Sequence, residues 1–185
     1  MSILLRKPVA AIEQSAKVVR VFQPALVPGL LQTPEYARAV LSLPRLAGER
    51  DLTAAVAQRM ERQTILYDDT RQFRFLLMEA VLRTRLVRAS AMLAQLEHIA
   101  TVSRLPNVEV GIVPYEVSVP EVPSNAIVLL DDRVVITETF AGEMVQRDPR
   151  DVELHAGIFE AFAAVALCKG EVRGRLADVM EAVSL

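Results

Sequence analysis

Tryptophan is absent, cysteine occurs once, histidine twice and glycine seven times in 185 residues. Aromatic residues make up only 5%, so a surface that stacks successive bases has little to be built from. The single thiol, Cys168, cannot form an internal disulfide and fits a reducing cytoplasm. It follows an apolar stretch, which suits a buried, inert thiol better than a nucleophile. His98 and His155 stand far apart, with no H-x-x-x-H or C-x-x-C spacing, so no metal is expected. A Gly-rich phosphate loop, a dinucleotide fingerprint and a G-x-S-x-G elbow are also missing, and no cofactor is expected. No apolar run reaches the roughly 18 residues of a membrane span. Met1–Pro8 places its charges after a very short apolar run, the reverse of a secretory signal.

What is present is apolar material: 52% hydrophobic residues and a mean hydropathy of +0.29. The length suits one domain over 1–185 with a substantial core. A subunit interface, as in a homodimer, or an apolar cavity would absorb the excess. Net charge is −2 but uneven: residues 1–104 carry 15 Lys and Arg against 9 Asp and Glu, residues 105–185 carry 6 against 14. The two halves could face each other or be solvated faces. The total gives no basic surface for direct nucleic-acid binding.

Along the chain, Val9, Ile12, Ala16 and Val19 recur at helical spacing, predicting a helix over 8–21. Pro28-Gly29 is a turn pair, Thr33 an N-cap and Pro34 a first helical residue, opening a short helix to Ser42. Asp51 caps a helix to about Tyr67. Gln72–Met78 alternates as a strand, and Glu79–Arg83 turns helical with an i,i+4 pair. A helix over 90–104 precedes a strand from Val108 to Pro114. Ala126–Leu130 and Val134–Thr139 flank Asp131-Asp132-Arg133 as a hairpin. Asp148 opens a helix to about Cys168, with Phe159 and Phe162 as core, and Glu171–Val183 is a last amphipathic helix. The expectation is an α+β fold with a small, mostly antiparallel sheet of about four strands covered by helices.

A series of motifs in a fixed order carries a family resemblance. Val27-Pro28-Gly29-Leu30-Leu31-Gln32-Thr33-Pro34-Glu35-Tyr36-Ala37-Arg38 resembles the opening of a domain of unknown function that follows an Xre-type helix-turn-helix in actinobacterial transcriptional regulators. Arg59–Leu66 is similar to its R-x-x-R-Q-x-x-L helix, and Met78–Arg83 to its E-A-x-L-R segment. Gln95–Ile99, Pro106–Tyr115 and Val135–Thr139 follow in the family's order. The match spans about Val21 to Leu167. Only about 20 residues precede it, too few for the helix-turn-helix, so the chain reads as a truncated regulator or a free-standing homologue. The segment Glu116–Pro123 lacks the glycine the family usually has there. The resemblance implies a cytoplasmic, regulatory domain that binds a small-molecule ligand or a protein partner. It supplies no catalytic set.

The candidate ligand residues are Gln32, Tyr36, Arg59, Arg62, Gln63, Glu79, Arg83 and Glu138. Gln32 and Tyr36 could line a cavity mouth or satisfy the turn's own backbone. Arg59, Arg62 and Gln63 could bind a carboxylate or phosphate, or bridge to an acid such as Glu79. Glu79 and Arg83 could orient a polar ligand or form a plain helix pair. The alternative is a cofactor-independent isomerase or cyclase on an apolar metabolite. In it Glu79, Glu138 and Tyr36 would act as acid–base groups and Arg62 would stabilise negative charge.

Overall fold

The computed structural model describes residues 12–43, 51–139 and 142–184. Seven strands form one sheet: β1 (Val18–Gln23), β2 (Gln72–Met78), β3 (Val108–Val113), β4 (Ala126–Leu130), β5 (Val134–Thr139), β6 (Gly142–Gln146) and β7 (Leu167–Cys168). Their order is β6-β5-β4-β1-β2-β3-β7. The central β1, β2 and β3 run parallel, and the flanking pairs are antiparallel. The helices are α1 (Pro34–Leu41), α2 (Leu52–Arg62), α3 (Glu79–Arg83), α4 (Ala89–Val102), α5 (Pro149–Ala163) and α6 (Gly170–Ser184).

The expected small, mostly antiparallel sheet of about four strands is therefore corrected to a seven-stranded mixed sheet with a parallel centre. The four expected strands are present, and β1, β6 and β7 join them. The largest error is β1. Its residues lay in the predicted helix over 8–21, of which 8–11 fall outside the described residues. Only 12–15 keep a helical turn. Val18, Val19 and Val21 are β-branched and stiff at χ1, and β1 sits between β2 and β4, where Val19, Val21 and Phe22 are buried. β6 and β7, at five and two residues, are too short for alternation to show. β7 also cuts the helix expected to reach Cys168, which ends at Ala163.

Each face of the sheet has its own core. On the first, Val19, Val21, Phe73, Phe75, Leu77, Val110 and Ile112 pack with Leu96 and Ile99 of α4 and Leu176 and Val179 of α6. On the second, Phe22, Leu76, Ile127, Leu129 and Val135 meet Val152, Phe159 and Phe162 of α5. Phe22 stacks on Phe162 at 4.4 Å between ring centroids. Gly111 lets β3 approach: a Cβ there would stand 2.6 Å from Leu76 Cδ2 and 3.3 Å from the Ala166 Cβ. The β4–β5 hairpin turns as expected, with Asp131 and Asp132 both at φ 51°. The Asp131 carboxylate accepts the N–H groups of Lys17 and Val18, which locks the turn onto the start of β1.

The parallel centre fixes where a site can form. The crossovers β1→β2 and β2→β3 carry α1 to α4, so the carboxyl ends of these strands share one edge of the sheet. β2 runs straight into α3 at Glu79, and β3 runs into Pro114, Tyr115 and Glu116 beside it. Open α/β sheets bind ligands in the crevice outside the carboxyl ends of their parallel strands.

Candidate functional site

Glu79 stands at that edge and is only 1% exposed. A buried carboxylate has to be paired and hydrogen-bonded to remain charged. Its Oε1 accepts Arg83 Nε at 2.7 Å and Nη2 at 2.7 Å. Its Oε2 accepts Arg175 Nη1 and the Tyr115 backbone N–H, the latter at 3.3 Å. Arg175 lies on α6, beside Val172 and Leu176, and also reaches Glu116 at 3.2 Å. Its guanidinium pKa is pushed up, first by the hydrogen bond to Glu116 and, against some burial, by Glu79. The Glu116 carboxyl is held below the usual range, first by its own backbone N–H and then by Arg175. Among the described residues, Arg83 Nη1 and Arg175 Nε and Nη2 make no hydrogen bond to protein. The cluster thus leaves these three guanidinium nitrogens without a protein acceptor beside a buried carboxylate.

Glu79 and Arg83 were legible in the sequence; Arg175 and Glu116 were not. Arg175 has a signal in hindsight, since it falls three residues after Val172 and one before Leu176, on the buried side of α6. Nothing in the sequence links it to a glutamate 96 positions earlier.

Most of the other candidates meet at the Pro28–Thr33 turn. Gln32 Nε2 donates to Val27 O at 2.7 Å, and its Oε1 accepts Arg59 Nη1 at 2.8 Å. Gln63 Nε2 donates to Gly29 O at 2.9 Å and Gln32 O at 2.7 Å. Tyr36 is fully buried and its hydroxyl accepts the Val27 N–H at 3.3 Å; burial pushes its pKa up, against that bond. A residue absent from the sequence-derived set completes the group. Gln95 of α4 donates to Leu31 O at 2.6 Å and accepts the Thr33 N–H at 2.8 Å. Its signal was a glutamine on the apolar stripe of a helix, beside Leu96. These contacts satisfy an irregular buried backbone that no strand or helix ladder could serve.

Arg62 stands apart from both groups and bridges to Glu13 at 2.7 Å, where the sequence suggested Glu79 as an acidic partner. Glu138 lies opposite Ala126 on β5, at the carboxyl edge of β1 but three strands from β2. Three strand spacings of about 4.8 Å separate it from β2, the strand that runs into Glu79. Glu79, Glu138 and Tyr36 therefore do not converge on one reacting position.

A second charged group anchors α5. Arg20 and Arg74 are register partners on β1 and β2, and both guanidinium groups lie over the Phe159 ring, at 5.7 and 5.2 Å. Glu160 accepts from Arg74 at 2.6 Å, and Arg20 also bonds Asp132. Burial works against the Glu160 charge, yet Arg74 and Arg20 hold its pKa below the usual range. On the outer side of α5 lies an open groove of about 510 Å³, lined in part by Pro120, Glu121, Arg150, Leu154 and Ile158. No cluster of three or more His, Cys, Asp or Glu able to hold a metal occurs among the described residues. No helix among them is long and apolar enough to cross a membrane.

No curated protein matches the chain. Among solved structures it is similar to a phospholipase D family member, Nuc from Salmonella typhimurium, with 14% identity, a TM-score of 0.48, and coverage of 89% of this chain and 90% of that one. A family model described as "Domain of unknown function (DUF5753)" matches residues 7–178, and the chain belongs to that family.

Proposed function

We propose that this chain is a ligand-sensing domain of the kind that follows a helix-turn-helix in transcriptional regulators, and that it takes a polar small molecule at the carboxyl edge of its parallel strands. The observation that carries this reading is Glu79, buried and paired with two guanidinium groups that, among the described residues, keep three nitrogens without a protein acceptor. Such preset donors give orientation and specificity to a small ligand without ordering cost at the moment of binding. In a regulator the domain would act in the cytoplasm as a homodimer, coupling occupancy to the DNA-binding head. The isomerase or cyclase alternative gains no support from the geometry, because its acid–base groups do not meet. A domain that docks a protein partner at the same edge would need the same arginines.

Native mass spectrometry of protein purified without added ligand tests the reading. The expected result is an adduct that denaturing extraction releases as a small molecule, returned unchanged after incubation with fresh protein. Arg83→Gln should lose it. A turned-over product, or an adduct indifferent to Arg83 and Arg175, would overturn the proposal.

A further inference from the structure

Glu116 is a poor partner for Arg175. Both of its oxygens reach one nitrogen, Nη1, at 3.3 and 3.2 Å, and that nitrogen already donates to Glu79. The guanidinium fork is left unused, although parallel paired bonds are the strong way to hold a carboxylate or phosphate. The Glu116 side chain is 68% exposed, so holding it in place costs rotamer freedom for little Coulombic gain. Charge points the same way. Glu79 with Arg83 and Arg175 leaves one excess positive charge, and Glu116 is the group that cancels it.

Resting on the sensing reading above, we infer that Arg83 and Arg175 are the receptor for an oxyanion, a carboxylate or phosphate group of the ligand, and that Glu116 is the internal carboxylate this group displaces. An incoming anion can use Arg175 Nε and Nη2 as a fork and take Arg83 Nη1 as a third donor. Glu116 is at the start of the 114–125 segment that joins β3 to β4. Further along, Val117 packs on the core of the second face, and Pro120 and Glu121 line the groove against α5. Displacement of Glu116 removes one of the anchors that tie this segment to the sheet edge, next to the Tyr115 N–H bond to Glu79. Occupancy at one face of the molecule is thereby carried to the other.

Titration calorimetry on the full chain, with inorganic phosphate and with malonate at constant ionic strength, tests this. Both variants Glu116→Gln and Glu121→Gln remove one negative charge from the same segment, but Glu121 does not touch Arg175. Glu116→Gln should tighten anion binding about three- to fivefold, the range open to removal of an internal competitor held by an exposed ion pair. Glu121→Gln should stay within about twofold, the range left for a screened charge. Arg175→Gln should abolish binding, with Arg83→Gln as the second variant if the first does not fold. Cleavage at Glu121 by a glutamate-specific protease should quicken on adding the anion. Equal effects of the two glutamate variants, or unchanged cleavage, would overturn the displacement. Absence of saturable binding by either anion would overturn the oxyanion class and leave the sensing reading to the mass-spectrometric test. Preference for phosphate or for malonate identifies which anion the receptor fits.

Discussion

Glu79→Gln is the sharpest perturbation of this molecule, because it changes one charge and almost no volume. The Gln oxygen can keep the place of Oε1 and still accept from Arg83. The amide nitrogen then replaces Oε2 and faces Arg175 Nη1 and the Tyr115 N–H, which are both donors. Two hydrogen bonds are lost and a donor–donor conflict is buried. Bonds to a charged group contribute about 1.5–3 kcal/mol each, and removing one member of a buried ion pair costs about 3–5 kcal/mol. Arg83 and Arg175 have side chains 40% and 19% exposed and can recover part of this from water. The expected loss is therefore about 2–4 kcal/mol, those figures of about 3–6 and about 3–5 kcal/mol discounted for that exposure. Urea unfolding followed by circular dichroism would show it as a lower midpoint at unchanged slope. Glu116→Gln, on the same arginine but largely exposed, should barely move the midpoint. A Glu79→Gln midpoint as close to wild type as that of Glu116→Gln would refute the view that a buried anion organises the edge.

Gln95→Ala should destabilise by about 2–4 kcal/mol, because Leu31 C=O and the Thr33 N–H lose their partner at about 1–3 kcal/mol each. Faster hydrogen exchange at the Thr33 amide would localise the effect. Gly111→Ala should cost about 1–3 kcal/mol by overpacking against Leu76 and Ala166, with partial recovery on adding Leu76→Val in a double-mutant cycle. His98 has a buried Nε2 with no partner among the described residues, and burial pushes its pKa below 6.5. The unfolded chain therefore takes up the proton first. The His98 contribution is present above pH 6.5 and is lost as pH falls from there through the lowered folded value. His98→Gln should flatten that part of the stability profile, and an unchanged slope would show that another group titrates.

The local signals in the chain were strong where a single side chain answers to its own backbone. Thr33, Asp51 and Asp148 each accept an N–H from the first turn of the helix they open, and Pro34 and Pro149 stand where a missing donor costs nothing. The strand at Val134–Thr139 and the Asp131-Asp132 turn were legible for the same reason. The sequence alone therefore determined these caps, turns and four of the strands, and it placed Glu79 beside Arg83. It did not determine what is decided between elements. Val19 belongs both to the helical stripe of Val9, Ile12 and Ala16 and to a run of β-branched residues, and burial between β2 and β4 chooses the strand. The parallel centre follows from crossovers whose helices must cover the first face, a condition no local window contains. Glu79 is paired with Arg175 from α6 and with the Tyr115 N–H after β3, groups brought together by strand order and helix docking. Pairing of this kind depends on distance in space, and distance along the chain carries no record of it.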